Sequence, residues 1–313
     1  MKTKMLFKTG FKIIGVTILL VTLKLFYPSG KEVLLASNML DSKALFSLPF
    51  NIKVTEDITV EKYFTYMDAI VEKHDSTTPY HLTEHLLVRA NSWIIDTLQN
   101  TDYYRMKARD SFVYDQKKMI VLPKDVSLVI PDSRMANKIL NSFENTLIDI
   151  NIPEFKLRIY EDSIKRFEFP IRVGRNEEKY IEMSGRIQDL KTKTGKGNIV
   201  NHVRYPRYVN PVNNQEYFVT KRDDDRVTKL PQIPFIETEI NGLRYGQLIH
   251  PTTNPRTLGK AYSNGCIGTR EADAWVIYYS APLGTKINIR YNLKVLDEKG
   301  NNIVLKDIYN KNK

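Results

Sequence analysis

The sequence predicts an α+β protein in which a largely helical N-terminal region precedes a mainly β, sandwich-like domain. Two observations lead to this prediction. Between about residues 60 and 145, apolar side chains recur every three or four positions, which is the spacing of a buried helix face. After Pro153 they alternate, which is typical of a half-buried strand. We place the boundary at Asn151–Pro153, and 313 residues suffice for two domains.

Five segments follow from this division. We expect a signal anchor or signal peptide in residues 1–30, a spacer in 31–58 and a mainly helical region in 59–151. The β-rich domain is expected in 152–292, and a C-terminal hairpin or tail in 293–313.

The N-terminal segment has the composition of an export signal. Five lysines in the first 24 residues carry +5 of the formal net charge of +11, so the other 289 residues carry only +6. This distribution argues against a nucleic-acid partner. The lysines flank the apolar run Ile13–Leu23, which favours an uncleaved inner-membrane anchor with the remainder facing the periplasm. The alternative is a cleaved signal peptide and an exported protein.

Helices dominate the expected structure before residue 150. Glu61–Ile70 and Leu82–Leu98 each place apolar residues on one helical face. The runs Lys118–Pro123 and Val126–Pro131 indicate two short strands around a turn.

Several elements of the β-rich domain are also expected. Phe155–Tyr160 and Ile164–Val173 form a hairpin at its start. Near its end, Thr269 is expected to cap a helix over Glu271–Tyr279, and Thr285–Tyr291 to form a strand.

A second hairpin is expected around Asn241-Gly242, because Asn-Gly between alternating runs is the strongest short hairpin signal. Its strands are Phe235–Ile240 and Leu243–Ile249. His250 should then lie just past the end of a rigidly held strand.

The chain contains one cysteine, Cys266, which lies sixteen residues after His250. A single cysteine cannot form an internal disulfide, and an unpaired thiol is a liability in an oxidising compartment unless its reactivity is used. A thiol nucleophile needs a histidine or a helix N-terminus, and N–H donors for the developing oxyanion. The amides around Gly265, Cys266 and Ile267 are candidate donors. The alternative is a core cysteine and a histidine that merely ends a strand.

These residues resemble a known catalytic motif. His250 together with Ser263–Ile267 looks like the active site of the L,D-transpeptidases, cysteine enzymes of cell-wall remodelling with a YkuD-type domain. The similarity extends upstream to Leu157–Asp162, Phe169–Arg175 and Lys193–Gly195, and so covers about residues 155–290.

The resemblance implies a role for each matching residue. Cys266 is the acylated nucleophile, and His250 is its base, with the imidazole oriented by a backbone carbonyl. The supporting and oxyanion residues are Ser263, Asn264, Gly265 and Ile267, and the candidate substrate-binding residues are Tyr262 and Arg270.

Two positions depart from the family pattern. Asn264 stands where the family usually has a histidine, and Gly268 where it has an arginine or asparagine. Arg270 either recognises a substrate carboxylate in place of that residue or is a solvated charge at a helix start.

The resemblance also implies a reaction. The thiol attacks the L-centre carbonyl of meso-diaminopimelate in a peptidoglycan tetrapeptide stem, expels D-alanine and forms a thioester. An amine of a second stem then gives a 3→3 cross-link. Stem peptides are the implied partners, carbapenems are expected to acylate the thiol, and no metal or organic cofactor is implied.

Other functions stay open at this point. Water as the acceptor would make the protein an L,D-carboxypeptidase, and a lipoprotein lysine would make it an anchoring ligase. A non-catalytic peptidoglycan-binding protein of the same fold is a further alternative. Lys118–Pro131 faintly resembles a LysM-like wall-binding module, although a small structural domain explains it equally well.

A zinc peptidase is a weaker hypothesis. His81-Leu82-Thr83-Glu84-His85 matches the inverted zinc-peptidase pattern, in which two histidines one helical turn apart bind the metal. No third ligand is evident, so two histidines on a polar helix face are favoured.

Overall fold

The computed structural model describes residues 49–311. The expected anchor at 1–30 and most of the expected spacer at 31–58 lie outside this range. Within it, every helix is too short or too polar to cross a membrane.

The helices and strands are numbered here in chain order. The helices are α1 Val60–Asp75, α2 Glu84–Ala90, α3 Trp93–Gln99, α4 Tyr103–Lys107, α5 Ser133–Glu144 and α6 Glu271–Ser280. The strands are β1 Phe50–Lys53, β2 Ile58–Thr59, β3 Ile120–Leu122, β4 Ser127–Ile130, β5 Thr146–Asn151, β6 Lys156–Glu161, β7 Ile164–Pro170, β8 Val173–Gly174, β9 Glu178–Ile181, β10 Arg186–Asp189, β11 Gly195–Val203, β12 Val209–Asn210, β13 Gln215–Glu216, β14 Val219–Lys221, β15 Val227–Lys229, β16 Phe235–Ile240, β17 Leu248–Pro251, β18 Ala261–Ser263, β19 Ile267–Thr269, β20 Lys286–Arg290, β21 Lys294–Leu296 and β22 Asn302–Val304.

One eight-stranded sheet organises the molecule, in the order β19-β17-β16-β11-β20-β5-β6-β7. Most neighbours are antiparallel, but β17 pairs with β19, and β20 with β5, in parallel. The sheet therefore begins at Thr146, because β5 lies inside it between β20 and β6. The mainly β fold class predicted from the sequence is confirmed.

The N-terminal region is helical only in part. The predicted helix over Glu61–Ile70 is present as α1, but the stretch Leu82–Leu98 is divided into α2 and α3. Asn91 explains the break, because its side-chain amide donates to Val129 O at 2.8 Å and accepts from Val129 N at 2.8 Å. This side chain thus pairs with the backbone of β4 at the point where the helix ends.

The two short strands expected around residues 118–131 are present as β3 and β4, yet they do not pair with each other. β3 pairs with β2, and β4 pairs with β1. Their partners lie more than 60 residues earlier in the chain, and a local turn signal carries no information about so distant a pairing.

The turns of two hairpins in the β-rich region lie at the residues whose conformational preferences predicted them. Asp162 and Ser163 adopt positive φ values of 49° and 66° between β6 and β7, as a two-residue hairpin turn requires. Asn241 and Gly242 do the same after β16, at 52° and 77°. The predicted C-terminal hairpin is formed by β21 and β22.

Helix α6 is buried along its whole length and packs against both α3 and β17. It matches the predicted helix over Glu271–Tyr279 to within one residue. Apolar residues of the N-terminal region and of the large sheet form one contiguous core with it.

A buried polar network joins α6 to the N-terminal region. The Arg222 guanidinium pairs with the Glu271 carboxylate, and both side chains are at most 1 % exposed. Gln116 donates to Glu271 at 2.7 Å and accepts from Arg222 at 3.0 Å, while the Tyr103 amide donates to Glu271 at 3.1 Å. Burial is the main reason that the Glu271 pKa is raised, and Arg222 opposes this shift. A network with these partners satisfies charges that would otherwise be costly to bury.

We predict that Arg222→Met destabilises the fold by about 3–5 kcal/mol, because it leaves the Glu271 carboxyl buried without its cation. Urea unfolding followed by circular dichroism measures the loss. Lys221→Met is the matched control, since Lys221 is 66 % exposed and should change the midpoint little. Equal losses in the two variants would contradict the structural role of the pair.

Candidate functional site

The parallel pairing of β17 and β19 places the predicted histidine and cysteine on the same face of the sheet. His250 is the register partner of Gly268, and Ile249 is that of Ile267. Successive side chains alternate between the faces of a strand, so Cys266, two residues before Gly268, lies on the face that His250 uses. Both groups therefore lie on one face near the edge of the large sheet, with Cys266 level with Leu248, two residues before His250.

The strand before His250 differs from the prediction. Residues 244–247 are irregular, with Gly246 at a φ of +69°, and β17 begins only at Leu248. His250 consequently lies inside the strand rather than past its end. The irregular segment still serves the site, because the Cys266 thiol lies 4.0 Å from the Gly246 carbonyl oxygen, to which it can donate.

The imidazole of His250 is fixed by a backbone carbonyl. Its Nδ1 lies 2.9 Å from Pro251 O, and a carbonyl can only accept, so Nδ1 carries the proton. This leaves Nε2 as a lone-pair acceptor. Burial, followed by the positive charge of Arg172, lowers the pKa of His250 to about 4, against the opposing effect of the Pro251 carbonyl. Phe235 of the adjacent strand contributes to that burial, with its ring centroid 5.0 Å from that of the imidazole.

The thiol of Cys266 is protonated at rest. Burial raises its pKa, while the Leu248 N–H and the charge of Arg172 lower it by less. The resting pair is therefore a neutral thiol beside a neutral imidazole, so ionisation of the sulfur must accompany proton transfer to a base.

The turn before Cys266 is held by its own hydroxyl and glycine. Ser263 Oγ donates to Cys266 O at 2.5 Å and accepts from the Gly265 amide at 3.3 Å. Gly265 has a φ of +112°, a conformation that strongly favours glycine. The Gly265 amide, one of the three predicted oxyanion donors, is thus engaged by Ser263 in this state.

Asn264, the departure from the usual histidine, accepts a hydrogen bond from the Arg175 guanidinium at 2.5 Å. The Arg175 amide also donates to Ser263 O at 3.1 Å. Asn264 therefore ties the turn to the segment just after β8 through a neutral oxygen, and it adds no titrating group to the site.

A second set of hydrogen bonds links the turn before Cys266, through Thr192 and Gly174, to Tyr309 in the C-terminal tail. Thr192 Oγ1 donates to Gly265 O at 2.9 Å and accepts from the Gly174 amide at 2.8 Å. The buried Tyr309 hydroxyl donates to Gly174 O at 2.6 Å and accepts from the Thr192 amide at 3.1 Å.

Arg172 belongs to the site but was missed by sequence reasoning. It lies between β7 and β8, almost 80 residues before His250, and its charge affects the pKa of both His250 and Cys266. Only its position inside the matching segment Phe169–Arg175 pointed to it. Tyr208 and Tyr217 were also not assigned to the site, and they extend the aromatic wall that begins at Phe235.

The two candidate substrate-binding residues lie in different surroundings. Tyr262 on β18 is 59 % exposed and close enough to Arg172 to influence its pKa. Arg270 lines a separate cavity of about 310 Å³ with Asp102, Arg105 and Asp273, and neither His250 nor Cys266 lines that cavity.

The predicted cap of α6 is wrong. Thr269 belongs to β19, and its hydroxyl donates to the Arg270 carbonyl at 3.1 Å, so Arg270 becomes the N-cap residue. The carboxylate of Asp102 instead accepts from the Ala272 amide at 2.8 Å. The N-terminal region therefore supplies the negative group at this helix start.

The histidines of the zinc hypothesis do not face each other. His81 precedes α2 and is bonded to Asp75 at 3.0 Å, whereas His85 is buried against Tyr278 O at 3.0 Å. Within residues 49–311 no group of three or more His, Cys, Asp or Glu side chains is arranged to hold a metal ion.

Known L,D-transpeptidase structures overlap this chain in part. One from Mycobacterium tuberculosis H37Rv is 15 % identical, with 47 % of this chain and 57 % of that chain covered and a TM-score of 0.31. L,D-transpeptidase 3 of M. tuberculosis in complex with a faropenem-derived adduct is 15 % identical, with coverages of 47 % and 60 % and a TM-score of 0.32. One from Xylanimonas cellulosilytica is 12 % identical, with coverages of 76 % and 97 % and a TM-score of 0.34.

The overlap spans less than two thirds of each mycobacterial chain. No protein of curated function matches the sequence. Residues 145–289, however, match the family model described as the YkuD L,D-transpeptidase catalytic domain. The resemblance expected from the sequence is thereby confirmed over residues 145–289.

Proposed function

We propose that this protein is a cell-wall-remodelling L,D-transpeptidase in which Cys266 is the nucleophile and His250 its base. The observation that carries the proposal is the pairing of His250 with Gly268, which puts imidazole and thiol on one face at a sheet edge. The family of residues 145–289 supports peptidoglycan as the substrate and the cell envelope as the place of action. The N-terminal anchor stays a prediction.

The acylation step follows from the protonation states of the pair. Nε2 of His250 accepts the thiol proton as sulfur attacks the L-centre carbonyl of the donor stem, and the carbonyl oxygen becomes an oxyanion. The amides of Cys266 and Ile267 are proposed to stabilise that charge, since the Gly265 amide is engaged by Ser263. When the intermediate collapses, the imidazolium returns the proton to the departing D-alanine amine, and a thioester remains on Cys266.

The acceptor decides the product. An amine of a second stem attacks the thioester, loses its proton to His250 and gives a 3→3 cross-link with release of the thiol. Water in the same position gives an L,D-carboxypeptidase. No contact of the described residues favours one acceptor, so both products are measured together.

Acylation by a carbapenem tests the nucleophile. We expect one covalent adduct by intact-protein mass spectrometry, absent in Cys266→Ala, because Cys266 is the only thiol of the chain. His250→Ala should slow adduct formation by about 10²–10⁴-fold, the usual loss with a general base. His81→Ala is the matched control, since that exposed histidine bonds only to Asp75 and should leave the rate unchanged. An adduct that persists in Cys266→Ala would exclude the proposed nucleophile.

The pH dependence of acylation tests the base. Protonated imidazole cannot accept the thiol proton, so activity is lost as pH falls through the His250 pKa. Because that pKa is lowered to about 4, the acid limb of kcat/KM should lie near pH 4 rather than near the ordinary histidine value of about 6.5. Circular dichroism over the same range confirms that the protein stays folded. A half-maximal rate near pH 6.5 would contradict a desolvated His250.

Incubation with purified tetrapeptide muropeptides distinguishes the acceptors. Transpeptidation predicts D-alanine release together with 3→3 dimers, both requiring His250 and Cys266, whereas carboxypeptidation predicts tripeptides alone. Chromatography with mass spectrometry resolves these products. A non-catalytic binding protein would release no D-alanine.

A further inference from the structure

Arg172 is a cation of the site for which residues 49–311 supply no carboxylate within 4.0 Å. Its Nε is buried without an acceptor, and its Nη1 reaches only Thr257 Oγ1, at 3.4 Å. Arg172 differs in this from the remaining arginines of residues 49–311. Those without a carboxylate within 4.0 Å are all exposed to solvent. Burying a charge is costly unless it is paired, so an unpaired guanidinium at this place indicates an anion that arrives with the substrate.

Backbone hydrogen bonds fix Arg172 near His250 and Cys266. The Arg172 amide donates to Gly268 O at 2.9 Å, and the Gly268 amide donates to Arg172 O at 3.0 Å. Gly268 is also the register partner of His250. Arg172 is therefore joined through one residue to the strand that carries the base.

The side chain of Arg172 lies across Gly268. A Cβ added to Gly268 would lie 2.4 Å from Arg172 Nε and 2.6 Å from Arg172 Cγ. Since a Cβ at this register position points to the face of His250, the arginine side chain crosses the same face. A glycine at 268 and an arginine at 172 are thus two parts of one arrangement, because any side chain at 268 would displace the guanidinium.

The thiol is not the missing anion at rest. Burial keeps Cys266 protonated despite the charge of Arg172, as its raised pKa indicates. The exposed rings of Tyr217 and Tyr262 lie near the guanidinium, and burial raises the pKa of the Tyr217 phenol, which therefore stays neutral at neutral pH. The cation is available to a ligand that approaches Cys266 from solvent.

We propose that Arg172 is the carboxylate receptor of this site and selects acyl donors whose expelled residue ends in a free carboxylate. This inference rests on the proposed function for the identity of the donor. The terminal carboxylate lies a few bonds from the amide that Cys266 attacks, and a planar guanidinium can bind it through two N–H groups. Arg270 is not needed for this role.

Equilibrium binding to Cys266→Ala tests the inference without relying on turnover. The probes are a tetrapeptide stem ending in a D-alanine carboxylate and the same peptide as its C-terminal amide, compared by calorimetry. We expect the carboxylate form to bind about 10- to 100-fold more tightly, the usual effect of a hydrogen-bonded charge pair. Adding Arg172→Ala should reduce this preference to a few-fold, and Arg172→Lys should retain part of it. Arg270→Ala is the matched control and should leave the preference intact.

Gly268→Ala gives an independent measurement. In the Cys266→Ala background it should lower the carboxylate preference by displacing the guanidinium, whereas after Arg172→Ala it should have almost no further effect. Thermal unfolding of each variant confirms the fold. Equal binding of acid and amide, binding of neither, or a preference that survives Arg172→Ala would each overturn the inference. The proposed function is tested separately by the carbapenem experiment. It fails if no adduct forms on the unaltered Cys266.

Discussion

The parallel pairing of β17 with β19 is the constraint on which the site depends. Adjacent antiparallel strands can be joined by a tight turn, but two parallel strands cannot, so the chain has to leave the sheet after Pro251 and return before Cys266. The returning loop forms β18, which pairs with β8, and this brings the segment of Arg172 against the free side of β19. One register therefore determines the positions of His250, Cys266 and Arg172 together.

Helix α6 connects the N-terminal region to the sheet edge that carries Cys266. It begins two residues after β19, and its first turn is bonded to Asp102 and Arg222, which come from different parts of the chain. Because the helix is buried throughout, its position is set by packing on all sides. The N-terminal helices are thus structural supports for the strand that follows Cys266, which gives this region a physical role whether or not it also binds the cell wall.

Local signals made part of this structure predictable. Asn241-Gly242 determines its own turn, because both residues adopt positive φ at little cost, and the motif around Cys266 identifies the family. The pairing of β3 with β2 and the place of Arg172 depend on contacts between residues far apart in sequence, which no local pattern encodes. Thr269 was misassigned for a related reason: its hydroxyl satisfies the usual capping preference, yet the strand pairing of that residue prevails. Sequence reasoning thus pointed to His250 and Cys266 but not to the cation near them.

The neutral state of Cys266 and His250 has a consequence for the lifetime of the thiol. Peroxides and disulfides react with the thiolate rather than with the thiol, so the burial that raises the pKa of Cys266 also slows its oxidation. In the proposed reaction the sulfur ionises only while His250 takes its proton. Desolvation therefore protects the chain's single cysteine from oxidation while it is protonated.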